Sequence, residues 1–239
     1  GGELTGALAR TRPAPDADTP ASATARTLRR LARRHRILTD EIADIDTELR
    51  ALTARAAPTM LATKGYGVIT TATLLAGAGD NPGRIRTEAS FAALCGAAPI
   101  PASSGKTNRH RLNRGGDRQA NWALHQIALV RLSSDPRTKA YAARLTATGK
   151  NCKEILRCLK RAIAREAWHL LTHPQPAPRT DDLRRLRHER GLTLTQAAHH
   201  LNTHPARISE LERGTRPDTT LTAAYRQWLS TQQPQTHTT

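Results

Sequence analysis

The chain has 239 residues, with 37 lysines and arginines against 20 acidic residues, and its formal net charge is +17. This charge makes a polyanion the expected partner. No stretch is long and apolar enough for a spanning helix and no secretory signal is present, which argues against a membrane or secreted protein and predicts a cytoplasmic one. Aromatic residues make up only 3% of the chain, which argues against a stacking platform for single strands.

The cysteines and the hydrophobic pattern limit the class of fold. Cys95, Cys152 and Cys158 fit no zinc spacing, so free thiols are expected, with Cys95 in the core, and no metal or cofactor site is predicted in this chain. No convincing strand period is present anywhere, so the predicted class is all-α. The length allows one domain of ordinary size and a small one.

The first part of the chain is predicted to be a linker followed by a long helix. Residues 1–24 mix Gly, Pro, Ala, Thr and Asp, and are expected to form a flexible linker. In residues 25–58 the apolar positions alternate steps of three and four, the heptad pattern of a coiled coil, and Pro58 ends it. The heptad positions are Leu28, Leu31, His35, Leu38, Ile42, Ile45, Leu49 and Leu52. The pattern favours a partner helix, in the same chain or in a second copy, over an amphipathic helix packed on its own domain.

Residues 59–172 are predicted to form a compact helical domain that holds eighteen lysines and arginines against six acidic residues, a charge of +12. Near its start, Lys64, Gly65 and Gly67 precede an Ala/Thr/Leu-rich helix, as in the second half of a helix-hairpin-helix. Backbone N–H groups of the two glycines and the Lys64 ammonium could then contact a phosphate. A tight turn before a core helix is the alternative.

Four further helices are predicted in this domain. They begin at Thr87, at Asp117 as the N-cap, at Asp135-Pro136, and near Cys152. The helix after Asp117 is expected to bury Trp122, Leu124, Ile127, Ala128 and Leu132. The last helix is expected to expose Lys153, Arg157, Lys160, Arg161 and Arg165.

Between residues 98 and 121 lies a basic segment that is almost free of apolar side chains. It contains Ser103 and Ser104 before a glycine, and one carboxylate, Asp117. Its cations are Lys106, Arg109, Arg111, Arg114 and Arg118, with His110 among them. Because burying unpaired guanidinium groups is costly, this segment is either a solvated loop or a surface that binds phosphate. A hydroxyl surrounded by fixed cations also suits phosphoryl transfer to serine.

Proline-rich residues 173–180 are predicted to link this domain to a second one at 181–231, and 232–239 are expected to be a disordered tail. The sequence of the second domain resembles the Cro/repressor-type helix-turn-helix, with a capping box at Thr193 and Gln196. The recognition helix would begin at Pro205. Its expected major-groove contacts are Ala206, Arg207, Ser209 and Glu210. The net charge is only about +2, from eight arginines against six acids, so protein contacts are an alternative use of this domain.

Residues from about 28 to 171 resemble the C-terminal domain of the insertion-sequence one-ten/one-sixteen transposases. Four segments in one order carry the resemblance: KGYGVITTATLLAGAGDNPGRIRTEASFAALCGAAPIPASSGK, HRLNRGGDRQANWALHQIALVRL, DPRTKAYAARL and KEILRCLKRAIARE. Several motifs over that length are more specific than any short pattern. The resemblance implies an RNA-guided DNA recombinase of bacterial origin, with DNA and a structured guide RNA as partners.

The same resemblance implies roles for particular residues. The family serine that attacks DNA precedes the glycine, which corresponds to Ser104, with Ser103 as second choice. Arg109, Arg111 and Arg114 would contact phosphates. A separate RuvC-like domain of the family supplies four acidic residues that bind divalent metal.

This chain is expected to be part of such a transposase. The six carboxylates of residues 59–172 are scattered, so the chain alone is expected to bind DNA without cleaving it. The alternatives are a non-catalytic DNA-binding regulator or transposase remnant, and a scaffold that dimerises through the coiled coil.

Overall fold

The computed structural model describes residues 2–12, 19–79, 85–101, 110–111, 113, 115–174, 176 and 178–232. Within these residues it contains twelve helices and one ribbon of two very short strands, which confirms the all-α class. The chain divides into two compact units, Gly1–Leu52 and Thr53–Thr239. No helix of the described residues is long and apolar enough to cross a membrane.

The N-terminal region is more ordered than the sequence predicts. Helix α1 (Gly2–Arg10) lies within the predicted linker, and α2 (Pro20–Ala56) begins at Pro20 rather than at residue 25. The prediction of a flexible linker over 1–24 is therefore wrong for these residues. Good helix formers outweigh the glycines in α1, and Thr19 accepts a hydrogen bond from the Ser22 N–H at 3.2 Å, which caps α2 before Pro20.

The heptad positions of α2 form an exposed apolar stripe. Six of these side chains are between 41% and 60% exposed: Leu28, Leu31, Leu38, Ile42, Ile45 and Leu52. Exposure of this many large apolar groups along one helix is unfavourable in water.

The central helical domain consists of six helices and the ribbon. They are α3 (Pro58–Ala62), α4 (Val68–Ala78), α5 (Glu88–Leu94), β1 (Ile100–Pro101), β2 (His110–Arg111), α6 (Arg118–Ser134), α7 (Pro136–Ala147) and α8 (Cys152–Thr172). Helices α4 and α8 both pack against α6, and α8 also packs against α5. The largest fully buried side chains at this core are Met60, Leu74, Phe91, Leu124 and Ile127.

Side-chain capping sets the helix starts of this domain, as the sequence predicts. Thr87 accepts from the Ser90 N–H at 3.1 Å, and Asp117 accepts from two N–H groups at 2.7 and 3.0 Å. Asp135 accepts from the Thr138 N–H at 3.2 Å. Cys95 is buried, as predicted, and burial together with the Asp117 charge raises the pKa of its thiol to about 12.

One prediction for this domain is wrong. Trp122 is 46% exposed although the sequence places it on the apolar face of α6. Trp122 and Leu124 are two residues apart, about 200° around a helix, so one buried stripe cannot hold both. The ribbon was also not expected, because strands of two residues have no detectable period.

The C-terminal helices form a separate small core. They are α9 (Leu183–Glu189), α10 (Leu194–His200), α11 (Pro205–Glu212) and α12 (Thr219–Thr231). Leu183, Ile208, Leu211, Tyr225 and Leu229 are buried together at its centre. The predicted capping box at Thr193 and Gln196 is present. Asn202, in the turn before α11, has a φ of 48°, a left-handed conformation that asparagine adopts more readily than most residues.

Candidate nucleic-acid interface

The ribbon brackets the segment 102–109, which contains the two candidate nucleophiles. Ile100 pairs with Arg111, and Pro101 pairs with His110. Five predicted site residues lie outside the described residues: Ser103, Ser104, Lys106, Arg109 and Arg114. The ribbon therefore pairs the residues on either side of this segment, which we call the serine segment. Arg111, a predicted phosphate ligand, is exposed on the ribbon.

A contact between two glycines positions this region against the start of α6. A Cβ atom on Gly116 would lie 2.2 Å from the Gly96 backbone nitrogen, so no other residue fits without a backbone shift. Beside this contact, the Asp117 N–H donates to the Leu94 carbonyl at 2.6 Å. The start of α6 therefore lies against the end of α5, next to the residues that lead into the ribbon.

A cleft of about 680 Å³ extends from the ribbon to the N-terminal half of α8. We call it the basic cleft. Among the described residues, its charged lining consists of the cations Arg111, Lys150, Arg157, Lys160, Arg161 and Arg165 and one carboxylate, Glu154. A concave surface with such an excess of one charge concentrates the field and attracts a polyanion.

Some of these cations form ion pairs within the protein, and the others are available to bind an anion. Arg161 and Arg165 both pair with Glu88, at 3.1 and 2.7 Å. Arg111, Lys150 and Lys160 form no ion pair with any described residue. These three are therefore the side chains most able to neutralise phosphate oxygens.

Lys160 lies where the basic cleft meets a second cleft of about 540 Å³. Its ammonium donates to the Asn121 Oδ1 at 2.8 Å, and the Asn121 Nδ2 donates to the Cys95 carbonyl at 2.7 Å. Burial, and secondarily the nearby Arg157 charge, lower the pKa of Lys160. An anion bound here would favour the charged form of Lys160 by Coulombic attraction and oppose this shift. Arg118, a predicted phosphate ligand, lines the second cleft.

The turn at Lys64, Gly65 and Gly67 is held by contacts within the domain. The Lys64 ammonium donates to the Ser134 carbonyl at 2.8 Å, and the Gly67 N–H donates to the Thr70 Oγ1 at 2.9 Å. Gly65 has a φ of 93°, and an added Cβ atom would lie 2.9 Å from the Cγ atom of Arg131. These contacts favour the alternative of a tight turn before a core helix.

The helix-turn-helix prediction is correct for the fold, and one of the expected base contacts, Arg207, is engaged within the bundle. The Arg207 side chain is only 17% exposed, pairs with Asp218 at 3.1 Å and donates to the Arg216 carbonyl at 2.6 Å. Asp218 caps α12, and its ion pair with Arg207 holds the Arg207 guanidinium within the bundle. Ala206 is exposed, whereas Ser209 and Glu210 are half-buried.

The described part of the chain offers no group of three or more histidine, cysteine or acidic side chains placed to hold a metal ion. Five of the six carboxylates in residues 59–172 are described, and each is engaged. Asp117, Asp135 and Glu154 take part in helix caps, Glu88 pairs with Arg161 and Arg165, and Glu166 pairs with Arg131. These side chains do not fit a divalent metal centre.

Sequence reasoning missed Lys150, Lys160 and Asn121 as site residues. Both lysines belong to the sequence-predicted domain, but Lys150 lies 39 residues after Arg111 and Lys160 lies 39 residues after Asn121 along the chain. Only the packing of α8 on α5 and α6 brings them to the clefts. The basic residues predicted to be exposed on the last helix indicate a cationic surface, although the sequence does not show which of them line a cleft.

Two parts of the chain match known protein families. Residues 57–143 match the family described as "Transposase IS116/IS110/IS902 family", and residues 181–226 match a "Helix-turn-helix domain". The chain is 31% identical over 153 residues to the "Insertion element IS900 uncharacterized 42 kDa protein" of Mycobacterium paratuberculosis. It is 34% identical over 105 residues to the "Insertion element IS110 uncharacterized 43.6 kDa protein" of Streptomyces coelicolor.

These matches cover part of each protein. The first covers 61% of this chain and 38% of the relative, and the second covers 44% and 26%. The chain therefore matches well under half the length of these curated relatives.

Proposed function

We propose that this chain acts in DNA transposition, because residues 57–143 match the IS116/IS110/IS902 transposase family. In this proposal the central helical domain binds the phosphate backbone, and Ser104 is the nucleophile, with Ser103 as second choice. The observation that supports it best is the basic cleft, which begins at the ribbon that brackets the serine segment. Cations fixed beside a hydroxyl can stabilise the charge that develops on a phosphate under attack.

The proposed step exchanges one phosphoester bond for another. The serine Oγ forms a bond to phosphorus, the bond from phosphorus to one strand oxygen breaks, and that oxygen takes up a proton while the serine loses one. The number of phosphoester bonds is unchanged, so the strand can later be rejoined. A serine hydroxyl is a weak nucleophile until its proton is removed, and the cations alone cannot remove it.

The divalent metal of the family is proposed to belong to a RuvC-like domain, because the described carboxylates of residues 59–172 are all engaged. A metal held there would supply Lewis-acid assistance to phosphoryl transfer. A structured guide RNA is proposed as a second partner, since the phosphate-binding cations of the basic cleft carry no sequence readout of their own.

The first expected result concerns binding and salt. Raising salt from about 50 to about 200 mM should weaken binding of duplex DNA on the order of a thousandfold for six phosphate contacts. Lys160→Gln should weaken binding about tenfold and lower the slope of log affinity against log salt by about one. Fluorescence anisotropy across a salt series measures both quantities.

Lys153→Gln is the matched control, because Lys153 is an exposed lysine of the same helix that lines neither cleft. It should change the affinity and the slope less than Lys160→Gln does. Equal effects of the two substitutions, or an affinity insensitive to salt, would refute phosphate binding in the basic cleft.

A non-catalytic DNA-binding regulator is the second candidate function, and the helix-turn-helix match favours it. In a regulator the helix-turn-helix would provide most of the affinity. Deleting residues 181–232 would then remove DNA binding, whereas the transposase proposal expects the central domain to retain salt-dependent binding.

We also propose that α2 pairs with the same helix of a second copy. The apolar stripe of heptad positions is exposed along α2, and helices of this pattern gain stability by covering it.

Replacing both Ile42 and Ile45 by aspartate is expected to dissociate this dimer, because it places four carboxylates in an apolar seam. Light scattering at micromolar concentration should show a dimer for the parent chain and a monomer for the variant. Replacing exposed Arg33 and Arg36, which lie off the stripe, by glutamine should leave the mass unchanged. A monomeric parent would contradict the proposal.

A further inference from the structure

The second cleft has a composition that the phosphate-binding proposal does not explain. Its lining consists of Gly96, Asn113, Gly116, Arg118, Asn121, Trp122, His125 and Lys160. Arg118, Trp122 and His125 lie four and then three residues apart, so they share one face of α6. At about 540 Å³ the cleft falls within the size range of ligand pockets, roughly 300–1,000 Å³.

Trp122 is not needed for the core of α6. It is 46% exposed, whereas Ala123, Leu124, Ile127 and Ala128 on the opposite side are buried. The Trp122 ring makes no ring contact or hydrogen bond with any described residue. In contrast, Trp168 makes both a ring contact and a hydrogen bond, and Trp228 makes ring contacts. The half-exposed indole leaves apolar ring surface in water, and a flat partner that covers it would gain the free energy of burying that surface.

The chemistry around the indole fits one kind of occupant. Arg118 approaches from the same helix face and Lys160 from α8, so a flat ring on Trp122 would have two cations beside it. A nucleobase has a π-face that stacks on an aromatic side chain, and its flanking phosphates are anionic. A paired base within a duplex is already stacked on its neighbours and cannot reach such a side chain.

We propose that this cleft binds an unpaired nucleobase, stacked on Trp122, with the flanking phosphates held by Arg118 and Lys160. The inference rests on the proposed binding of nucleic acid but not on the serine chemistry. The unpaired base can come from a DNA strand opened during recombination or from a loop or bulge of RNA, and the test separates these sources.

The main alternative occupant of this face is a protein. Leu129 is 43% exposed and lies seven residues after Trp122, on the same face of α6, but it does not line the cleft. A protein surface would cover both side chains, whereas a nucleobase in the cleft would contact Trp122 alone. Leu129→Ala is therefore the matched control.

The experiment uses the full chain with three probes. They are a DNA duplex with one bulged 2-aminopurine, the same duplex fully paired, and an RNA hairpin with the same bulge. Anisotropy gives each affinity, and quenching of 2-aminopurine fluorescence reports stacking. The parent and Leu129→Ala should prefer one or both bulged probes and quench the fluorophore. Trp122→Leu should bind the bulged probe roughly tenfold more weakly, so that the preference is lost, and it should no longer quench the fluorophore. Trp122→Phe should keep most of the preference and most of the quenching.

The bulged probe that is preferred identifies the source of the base. Equal affinity of the parent for bulged and paired probes would overturn this inference and leave phosphate binding intact. Equal loss with Trp122→Leu and Leu129→Ala would also overturn it, because Leu129 does not line the cleft. An unchanged preference in Trp122→Leu would overturn it and leave the face free for a protein partner. Failure of the parent to bind any probe would overturn both the proposed function and this inference.

Discussion

Replacing Glu212 by alanine is expected to destabilise the helix-turn-helix domain by about 3–5 kcal/mol. Glu212 forms an ion pair with Arg187 at 2.7 Å, and the two side chains are only 3% and 6% exposed. The Tyr225 hydroxyl also donates to Glu212 at 2.7 Å. Removing the carboxylate leaves a buried guanidinium and a buried hydroxyl without their partner, which costs far more than the pair itself contributes.

Urea denaturation followed by circular dichroism and by fluorescence of Trp228, which is in this small core, measures the loss. Glu189→Ala is the control, because its pair with Arg185 is exposed and should contribute about 1 kcal/mol or less. Similar losses for the two variants would show that the buried pair does not hold the bundle together.

The same pair makes stability depend on pH in a defined direction. Burial opposes ionisation of Glu212, but hydrogen bonds from Arg187 and Tyr225 outweigh it and hold the pKa of Glu212 below its usual value. A lowered folded-state pKa contributes stability that is complete above the unfolded-state pKa, about 4.3, and is lost as the pH falls through the folded-state value. Glu212→Gln should therefore be less stable than the parent at neutral pH and should lose less stability on acidification.

Asp182, whose pKa is lowered by a hydrogen bond from Arg226, should account for part of the acid sensitivity that remains. An acid profile unchanged by Glu212→Gln would contradict the assignment.

Local features of this fold could be predicted from the sequence because their causes are local. A side chain that caps a helix contacts N–H groups two or three residues away, so Thr87, Asp117, Asp135 and Thr193 were identifiable without a structure. The left-handed Asn202 follows the same logic, since its turn is set by adjacent residues. In contrast, α1 was missed because two glycines lowered its apparent propensity, although its other residues favour a helix.

Features that depend on distant packing could not be predicted in this way. Arg207 has the position of a base-contacting residue in α11, but Asp218 from the next helix pairs with it. Trp122 has the composition of a core residue, and only the packing of α6 between other helices shows that it faces a cleft. Lys160 is one of several basic residues on α8, and its contact with Asn121 is what distinguishes it.

Replacing Ser104 by alanine is expected to abolish a covalent protein–DNA adduct, because alanine has no oxygen that can form the ester. The loss should be at least about a thousandfold when the proposed RuvC-like domain is supplied, since no neighbouring group replaces a missing nucleophile. Binding of DNA should be spared, because the cations of the basic cleft remain. Arg111→Ala should weaken both binding and adduct formation, since it acts on the phosphate.

Trapping the adduct tests the central claim most directly. Protein supplied with the RuvC-like domain, guide RNA and labelled DNA is denatured, digested and analysed by mass spectrometry to locate the nucleotide-bearing residue. We expect the adduct on Ser104, or on Ser103 as second choice, and its loss only when that serine is replaced. Adduct formation at the parent level in both Ser104→Ala and Ser103→Ala would contradict the account and show that the serine segment has a structural role alone.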